Sequence, residues 1–325
     1  MEAEERVKVL VTGGAGFIGS HVVDRCLAAG HEVVVVDDLS TGHRSRLDGR
    51  ARFHEVSIGS PELADVFAVE RPDVVNHQAA QVEVRRSVDD PIHDAQINII
   101  GSLNLLQCCR RFGVERVIYA SSGGAVYGDA VVIPTPEDHP TRPASPYGIS
   151  KLAVEHYLAC WQELYGIRTL ALRYANVYGP RQSPFGEAGV VAIFAHRLLR
   201  GEEAVINGDG RQTRDYVYVG DVAAANGRAI ECAEITGALN VGTGVETDVI
   251  ELFERLRVAA GVSAAPRHGP PKPGEQRRSA IDPRRAAERL GWRPTVALAD
   301  GLRLTVEHMR SDGRGAGEAR LRPHG

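Results

Sequence analysis

Cysteine is scarce in this 325-residue chain: the five cysteines form no C-x-x-C pair and do not cluster with histidine in a metal-binding pattern. The sequence therefore predicts reduced thiols, a cytoplasmic location and no metal site. The first residues lack the basic and then apolar pattern of a targeting peptide, and no apolar run approaches the roughly 18 residues that a membrane helix needs. We expect no membrane partner.

Charge of one sign is not in excess either. Charged residues make up 25% of the chain and the formal net charge is −4, so the molecule offers no field that would favour nucleic acid. Hydrophobic residues make up 43%, which is ordinary for a globular protein with a large core. Composition therefore predicts a small-molecule partner and no nucleic acid.

What the sequence does contain is a regular alternation of strand-like and helix-like segments. Apolar runs typical of buried strands lie at residues 7–11, 33–36, 74–76, 117–120 and 170–173. Segments with helical periodicity lie between them, at residues 17–29, 94–111 and 147–164. This alternation predicts an α/β fold in which a doubly wound parallel sheet carries helices on both faces.

The pattern changes after Tyr174, where glycine and proline become frequent. We interpret residues 1–174 as the sheet domain, with 215–245 returning to it. Residues 175–214 and 246–310 are interpreted as a smaller C-terminal α/β substrate domain. The segment 311–325 has almost no apolar period and is expected to be a disordered tail.

Three glycines, Gly13, Gly16 and Gly19, lie between the first predicted strand and the first predicted helix. This spacing is typical of a loop that lets the backbone approach a pyrophosphate, with the helix N-terminus binding the phosphates. Asp37 ends the next strand, where a carboxylate can accept the ribose hydroxyls of adenosine and would repel a 2′-phosphate. The motif predicts NAD binding, although the nearby His43 and Arg44 leave NADP open.

Tyr147 and Lys151 lie four residues apart at the start of a predicted helix, which places them on one face. An ammonium beside a phenol favours the ionised form, so Lys151 is expected to lower the pKa of Tyr147 and make it a general base. The strand that ends in Ser121 and Ser122 should deliver a hydroxyl to the same crevice. We favour Ser122, with Ser121 open.

Together these residues resemble the extended short-chain dehydrogenase/reductases, and most closely the UDP-glucose 4-epimerases, over nearly the whole chain to about residue 305. The resemblance implies a Rossmann domain with NAD and a UDP-sugar substrate. It implies that Tyr147 takes the proton of the 4-hydroxyl while hydride leaves C4, and that the resulting 4-keto sugar is reduced on its other face. Homodimerisation through residues 94–111 and 147–164 is also implied.

The resemblance assigns further site residues. Besides the three glycines, Asp37 and the catalytic residues, those implied at the cofactor are Phe17, Ile18, Asp38, Ser40, Thr41, Gly42, Ile58, Gln78, Ala79, Ala80, Asn98, Ser121, Tyr174 and Val177. Those implied at the substrate, besides Ser122 and Tyr147, are Val82, Gly123, Gly124, Asn176, Arg181, Val190, Val191, Arg214 and Arg278. Arg214 is implied to hold the phosphates, a task that suits a planar guanidinium.

The chain departs from the family pattern at three places. The loop from Ser121 to Gly128 is one residue longer than the commonest epimerase form, Ser57 stands where an aspartate is frequent, and Ser279 stands where some epimerases have tyrosine. A small residue at 279 implies a roomier pocket, in which N-acetylated or C6-oxidised sugars would fit.

Related reactions and other functions require residues that can be looked for in this sequence. Sugar dehydratases and decarboxylases carry carboxylates in the loop where this chain has Gly123, Gly124 and Ala125, so the sequence disfavours both. UDP-glucuronate 4-epimerase stays open, with a cation facing C6 supplied by one of Arg85, Arg86 and Arg181. A non-catalytic NAD-binding regulator is the alternative of another class, but it has no need for Tyr147 and Lys151.

Overall fold

The computed structural model describes residues 6–185, 189–271 and 276–320. Its strands are β1 Lys8–Thr12, β2 Glu32–Asp37, β3 Arg52–Glu55, β4 Val74–His77, β5 Arg116–Ser122, β6 Arg168–Tyr174, β7 Asn176–Tyr178, β8 Val205–Asn207, β9 Thr213–Arg214, β10 Tyr216–Tyr218, β11 Gly237–Val241, β12 Thr247–Asp248 and β13 Arg267–Gly269. Its α-helices are α1 Phe17–Ala28, α2 Leu63–Glu70, α3 Val84–Asp89, α4 Pro91–Ala95, α5 Ser102–Phe112, α6 Gly123–Val126, α7 Pro146–Tyr165, α8 Val190–Arg200, α9 Val219–Glu231, α10 Val249–Ala260, α11 Arg284–Leu290 and α12 Leu298–Arg320.

Seven strands form one sheet in the order β11-β6-β5-β4-β1-β2-β3. Every neighbouring pair in it is parallel, and helices cover both faces through two large hydrophobic cores. The chain runs outward in one direction from β1 to β3 and in the other from β4, so the crevice beside β1 and β4 is the expected ligand site of such a sheet. The predicted doubly wound parallel fold is confirmed.

The edge strand β3 was not predicted, because Arg52–Glu55 has a polar sequence and is only partly buried. The strand β11 pairs with β6 at the opposite edge of the main sheet. A third hydrophobic core is formed mainly by α8, α10 and α12. The division of the chain into a sheet domain and a substrate domain stays an interpretation.

The predicted helix over 94–111 is interrupted by a π-helical segment, Gln96–Gly101, between α4 and α5. Such segments are frequent at functional sites because they redirect side chains. At the C-terminal end, α12 continues to Arg320, into the segment for which disorder is predicted. Residues 321–325 lie outside the described residues. The disordered tail over 311–325 stays a prediction. No helix in the described ranges has both the length and the apolar character to cross a membrane.

Candidate active site

The glycine loop between β1 and α1 has the shape that a dinucleotide requires. Gly13 adopts a positive φ of 65°, and a Cβ there would lie 2.7 Å from the Ala79 backbone nitrogen. A Cβ at Gly19 would collide with the Gly13 carbonyl oxygen. At Gly13 the loop therefore packs against the backbone of Ala79, and at Gly19 the first turn of α1 packs against the loop itself. Gly16 caps α1 without any side-chain hydrogen bond, which leaves the first N–H groups of a 12-residue helix available to a phosphate.

Asp37 lies at the end of β2, where the adenosine ribose is expected. Its carboxylate accepts hydrogen bonds of 2.9 Å from the backbone N–H groups of Ala15 and Leu39. Burial raises the pKa of this carboxyl, and the two backbone hydrogen bonds lower it. A carboxylate has about four acceptor positions, so two remain for hydroxyls. A Cβ at Gly42 would lie 2.7 Å from Asp37 Oδ1, and glycine keeps this approach open. The loop and Asp37 thus fit an NAD molecule.

The other residues implied at the cofactor surround this crevice, but several are engaged in the protein. Phe17 and Ile18 form the first turn of α1. Gln78, Ala79 and Ala80 follow β4, where the Gln78 amide donates to the Tyr174 hydroxyl at 3.1 Å. Those that are buried or held by protein groups are Ile58, Asn98, Ser121 and Tyr174. The cofactor candidates whose side chains are exposed or half-buried are Asp38, Ser40, Thr41 and Val177.

The catalytic candidates lie where β5 ends and α7 begins. Ser145 caps α7 by accepting a hydrogen bond from the Gly148 N–H at 3.1 Å, and Pro146 suits the first turn. Lys151 is 3% exposed, and its Nζ donates to the Ala120 carbonyl at 2.9 Å. The Nζ lies 5.7 Å from the centre of the Tyr147 ring. The phenol of Tyr147 is hydrogen-bonded to Ser122.

The two serines at the end of β5 point in different directions. The Ser121 hydroxyl donates to the Glu155 carboxylate, which is ion-paired with Arg173 at 2.6 Å. Ser122 instead lines a cavity of about 250 Å³ together with Tyr147. Alternate residues of a strand face opposite sides, so one serine alone reaches this cavity. The geometry favours Ser122 as the catalytic hydroxyl.

The pKa of Tyr147 is not lowered as the sequence predicts. Burial raises it to about 12, and the hydrogen bond from Ser122 offsets only part of this effect. Burial also lowers the pKa of Lys151 to about 8, while Asp94 and Glu155 act to raise it. Desolvation disfavours whichever form is charged, so it opposes both the phenolate and the ammonium.

The residues predicted for the substrate divide into two groups. Besides Ser122 and Tyr147, the cavity is lined by three of them, Gly124, Asn176 and Arg214, and by the unpredicted Val84, Ala125, Ala175 and Gln276. The remaining candidates are not among its lining residues. Of these, Gly123 is buried in α6, Val82 is exposed, Val190 begins α8 and Val191 belongs to the third core.

Two arginines predicted at the substrate are held by nearby carboxylates outside this lining. Arg181 pairs with Asp24 of α1 at 2.8 Å, and Arg278 pairs with Glu246 at 2.5 Å. Arg214 lies at the cavity, where its Nη1 donates to the Gln276 carbonyl at 2.8 Å. The structure therefore brings together Arg214 and Asn176 with the catalytic residues, but not Arg181 or Arg278.

Of a polar stripe behind the site, sequence reasoning predicted Asn98 and missed Asp94 and Ser102. Asp94, Asn98 and Ser102 follow one another at intervals of four residues and are all buried. A polar residue at every fourth position of a helical segment is unusual on a face that meets the core, and this spacing was the available signal. Gln276 had no comparable signal, because it comes to the cavity from a loop.

His77 at the end of β4 predicts a specific acid sensitivity. Its ring nitrogens are hydrogen-bonded to the Thr12 and Ser102 hydroxyls at 2.7 and 2.9 Å, and burial lowers its pKa from 6.5 to about 3. The unfolded chain binds a proton below about pH 6.5 while the native ring stays neutral. Stability present above that pH is therefore lost as the pH falls, by about 2 kcal/mol between pH 7 and 5.

The measurement is the free energy of urea-induced unfolding at pH 7 and pH 5. The His77→Gln variant should lose about 2 kcal/mol less than the wild type over this interval, whatever its stability at pH 7. Replacement of the exposed His156 by Gln is the control and should leave the pH dependence as it is. An equal loss in the wild type and His77→Gln would contradict the assignment.

The fold and the site together define an α/β enzyme that uses a dinucleotide cofactor. The chain belongs to the NAD dependent epimerase/dehydratase family, whose model matches residues 9–242. The predicted family and the predicted cofactor, NAD, are thereby confirmed.

Similar proteins share nearly the full length of the chain. The UDP-glucose 4-epimerase of Mycolicibacterium smegmatis is 48% identical over 310 residues, which cover 94% of this chain and 99% of that protein. The structure resembles that of the Thermotoga maritima UDP-glucose 4-epimerase with UDP-glucose, with a TM-score of 0.91 and 50% identity over 94% of this chain and 99% of that one. The UDP-glucose 4-epimerase of Thermus thermophilus in complex with NAD gives a TM-score of 0.88 at 47% identity, covering 93% of this chain and 99% of that one.

Proposed function

We propose that the protein inverts C4 of a UDP-hexose, interconverting UDP-glucose and UDP-galactose. The observation that carries the proposal is the cavity in which Tyr147 and Ser122 lie together with Asn176 and Arg214. A phenol and a hydroxyl suit proton exchange with one sugar oxygen, and a guanidinium suits a diphosphate. The similarity to UDP-glucose 4-epimerases over nearly the whole chain supports the same substrate class.

The cofactor would be held by the glycine loop, the N-terminus of α1 and Asp37. Bound NAD supplies a reversible hydride acceptor for C4 of the sugar. Tyr147, as the phenolate, takes the proton of the 4-hydroxyl and becomes the phenol, which returns the proton after the sugar has presented its other face. Ser122 hydrogen-bonds the same oxygen. The buried ammonium of Lys151 favours the ionised form of Tyr147. Arg214 and Asn176 retain the diphosphate while the sugar turns.

UDP-glucuronate is the alternative substrate and would require a cation facing C6. Arg181 is paired with Asp24, and Arg85 and Arg86 belong to the exposed face of α3. The arginine at the cavity, Arg214, is the one that the diphosphate requires. These contacts favour a neutral hexose.

The proposal also includes a cytoplasmic homodimer. All five cysteines are free, which supports a reducing compartment. Exposed apolar side chains on α7, including Leu164 and Tyr165, support an interface there. Trp161 on the same helix is 9% exposed and belongs to the core, and its indole donates to the Leu106 carbonyl at 3.2 Å.

Proton NMR of the purified protein with single UDP-sugars tests the function. We expect UDP-glucose and UDP-galactose to reach the same mixture from either side, without accumulation of NADH. Separate incubations with UDP-N-acetylglucosamine and UDP-glucuronate define the substrate range. Conversion of UDP-glucuronate alone would replace the proposed substrate, and release of a dehydrated or decarboxylated sugar would replace the proposed reaction.

A further inference from the structure

A buried carboxylate, Asp94, lies behind the catalytic pair and has no part in the mechanism above. It is 1% exposed at the end of α4. Its Oδ2 accepts a hydrogen bond from the Ser150 hydroxyl at 2.6 Å. Its Oδ1 accepts from the amides of Asn98 at 2.9 Å and Gln81 at 3.0 Å. All three donors are neutral, so none of them supplies a counter-charge to this carboxyl group, which lies where an unpaired charge is costly.

Two of these donors lead directly to the catalytic site. Ser150 lies on α7 between Tyr147 and Lys151, and its hydrogen bond fixes the turn that carries both. Gln81 lies in the loop before α3 and also donates to the Glu83 carbonyl at 3.0 Å. This loop continues to Val84, which lines the cavity. Asp94 therefore ties the catalytic turn of α7 to the loop that forms the cavity wall.

A second contact between α3 and α7 follows from the same arrangement. The Tyr147 N–H donates to the Ser87 hydroxyl at 3.1 Å. The turn that carries the phenol is thus held from α3 as well as from α4. The backbone of Gln81 is also held by the Asn98 amide, so with the Gln81 side chain detached from Asp94 the loop before α3 would lose one of its buried anchors, and this turn would lose part of its support.

We propose that Asp94 is a positioning residue for the reaction, which fixes the catalytic turn of α7 and supplies a negative charge behind Lys151 and Tyr147. The inference rests on the proposed function. The charge acts on both groups in the same direction, because Asp94 raises the pKa of Lys151 and that of Tyr147.

The other titratable groups around Lys151 come from three elements. Glu155 lies on α7, Tyr119 of β5 has its ring centre 4.9 Å from the Nζ, and His77 of β4 interacts with the same ammonium. The charge of Glu155 is offset by its ion pair with Arg173. The Asp94 carboxylate, in contrast, accepts hydrogen bonds only from neutral groups among the contacts described above. Replacement by asparagine would remove its negative charge with little change in side-chain shape.

The test compares Asp94→Asn with Asp90→Asn and the wild type. Asp90 caps α4 at the surface, where it accepts a hydrogen bond from the His93 N–H at 3.0 Å, and its replacement is the control. For Asp94→Asn we expect kcat to fall by about 10- to 100-fold, with KM for UDP-glucose changed less than about twofold. The pH profile of kcat/KM should move to lower pH on both limbs, because the pKa values of Tyr147 and Lys151 both fall.

An Asp94→Asn enzyme with the pH profile of the wild type would overturn the proposal. Should Asp94→Asn fail to fold, Ser150→Ala removes one tether and keeps the charge. We then expect a lower kcat with an unshifted pH profile, and an unchanged kcat in this variant would also overturn the proposal. A wild-type protein without epimerase activity would refute the proposed function instead, and the two failures are thereby distinguished.

Discussion

Replacement of Tyr147 by phenylalanine is expected to lower kcat by about 10²- to 10⁴-fold, which is the usual contribution of a general acid–base residue. Phenylalanine fills the same volume but cannot exchange a proton with the sugar hydroxyl. The assay is the NMR measurement of C4 inversion. The variant should still bind NAD and unfold at the temperature of the wild type, because the glycine loop and Asp37 are unchanged.

The matched control is Tyr165→Phe, at the far end of the same helix and 39% exposed. This change removes an identical hydroxyl outside the cavity, and the phenylalanine ring keeps the apolar surface of the proposed interface, so kcat should stay within about twofold. A Tyr147→Phe enzyme with more than a tenth of the wild-type rate would show that another group moves the proton. A non-catalytic NAD-binding protein would be indifferent to both changes.

The second large effect concerns stability. Glu155→Ala removes the partner of Arg173, and the two side chains are only 9% and 8% exposed. Loss of one member of a buried ion pair leaves a charge without compensation, which costs about 3–5 kcal/mol. The Ser121 hydroxyl loses its acceptor as well. We expect a loss of this size in the free energy of unfolding measured with urea.

Two further variants separate this effect from a general sensitivity of the fold. Glu115→Ala breaks the exposed pair with Arg168, at 3.0 Å, and should cost less than about 1 kcal/mol. The double variant Glu155→Leu with Arg173→Met replaces both charges by apolar groups and should be more stable than Glu155→Ala alone. A double variant less stable than Glu155→Ala would contradict the explanation.

The central strands were predictable because burial on both faces requires continuous apolar runs, as in Glu32–Asp37 and Arg168–Tyr174. The edge strand β3 was not, because one side of Arg52–Glu55 meets solvent and its sequence is polar. The π-helical segment was also beyond the sequence pattern. It changes the helical period over Gln96–Gly101 while the residues remain helix formers.

At the site, residues that depend on local spacing were predictable and those that depend on distant partners were not. Tyr147 and Lys151 share a helix face because they are four residues apart. Arg181 was predicted at the sugar, but its partner Asp24 lies 157 positions earlier in the chain. The lowered pKa expected for Tyr147 was wrong for a similar reason, since the burial that raises it comes from the assembled fold.

The opposed directions of Ser121 and Ser122 bear on how this enzyme tolerates insertions. A one-residue slip within β5 would exchange the two hydroxyls, so that the ion pair would receive the wrong one and the sugar pocket would lose its donor. The short helix Gly123–Val126 begins directly after the strand, and a residue added there would leave both serines in register. The length of the segment after β5 can therefore vary without changing the direction of the Ser122 hydroxyl. An insertion or deletion within β5 would change that direction.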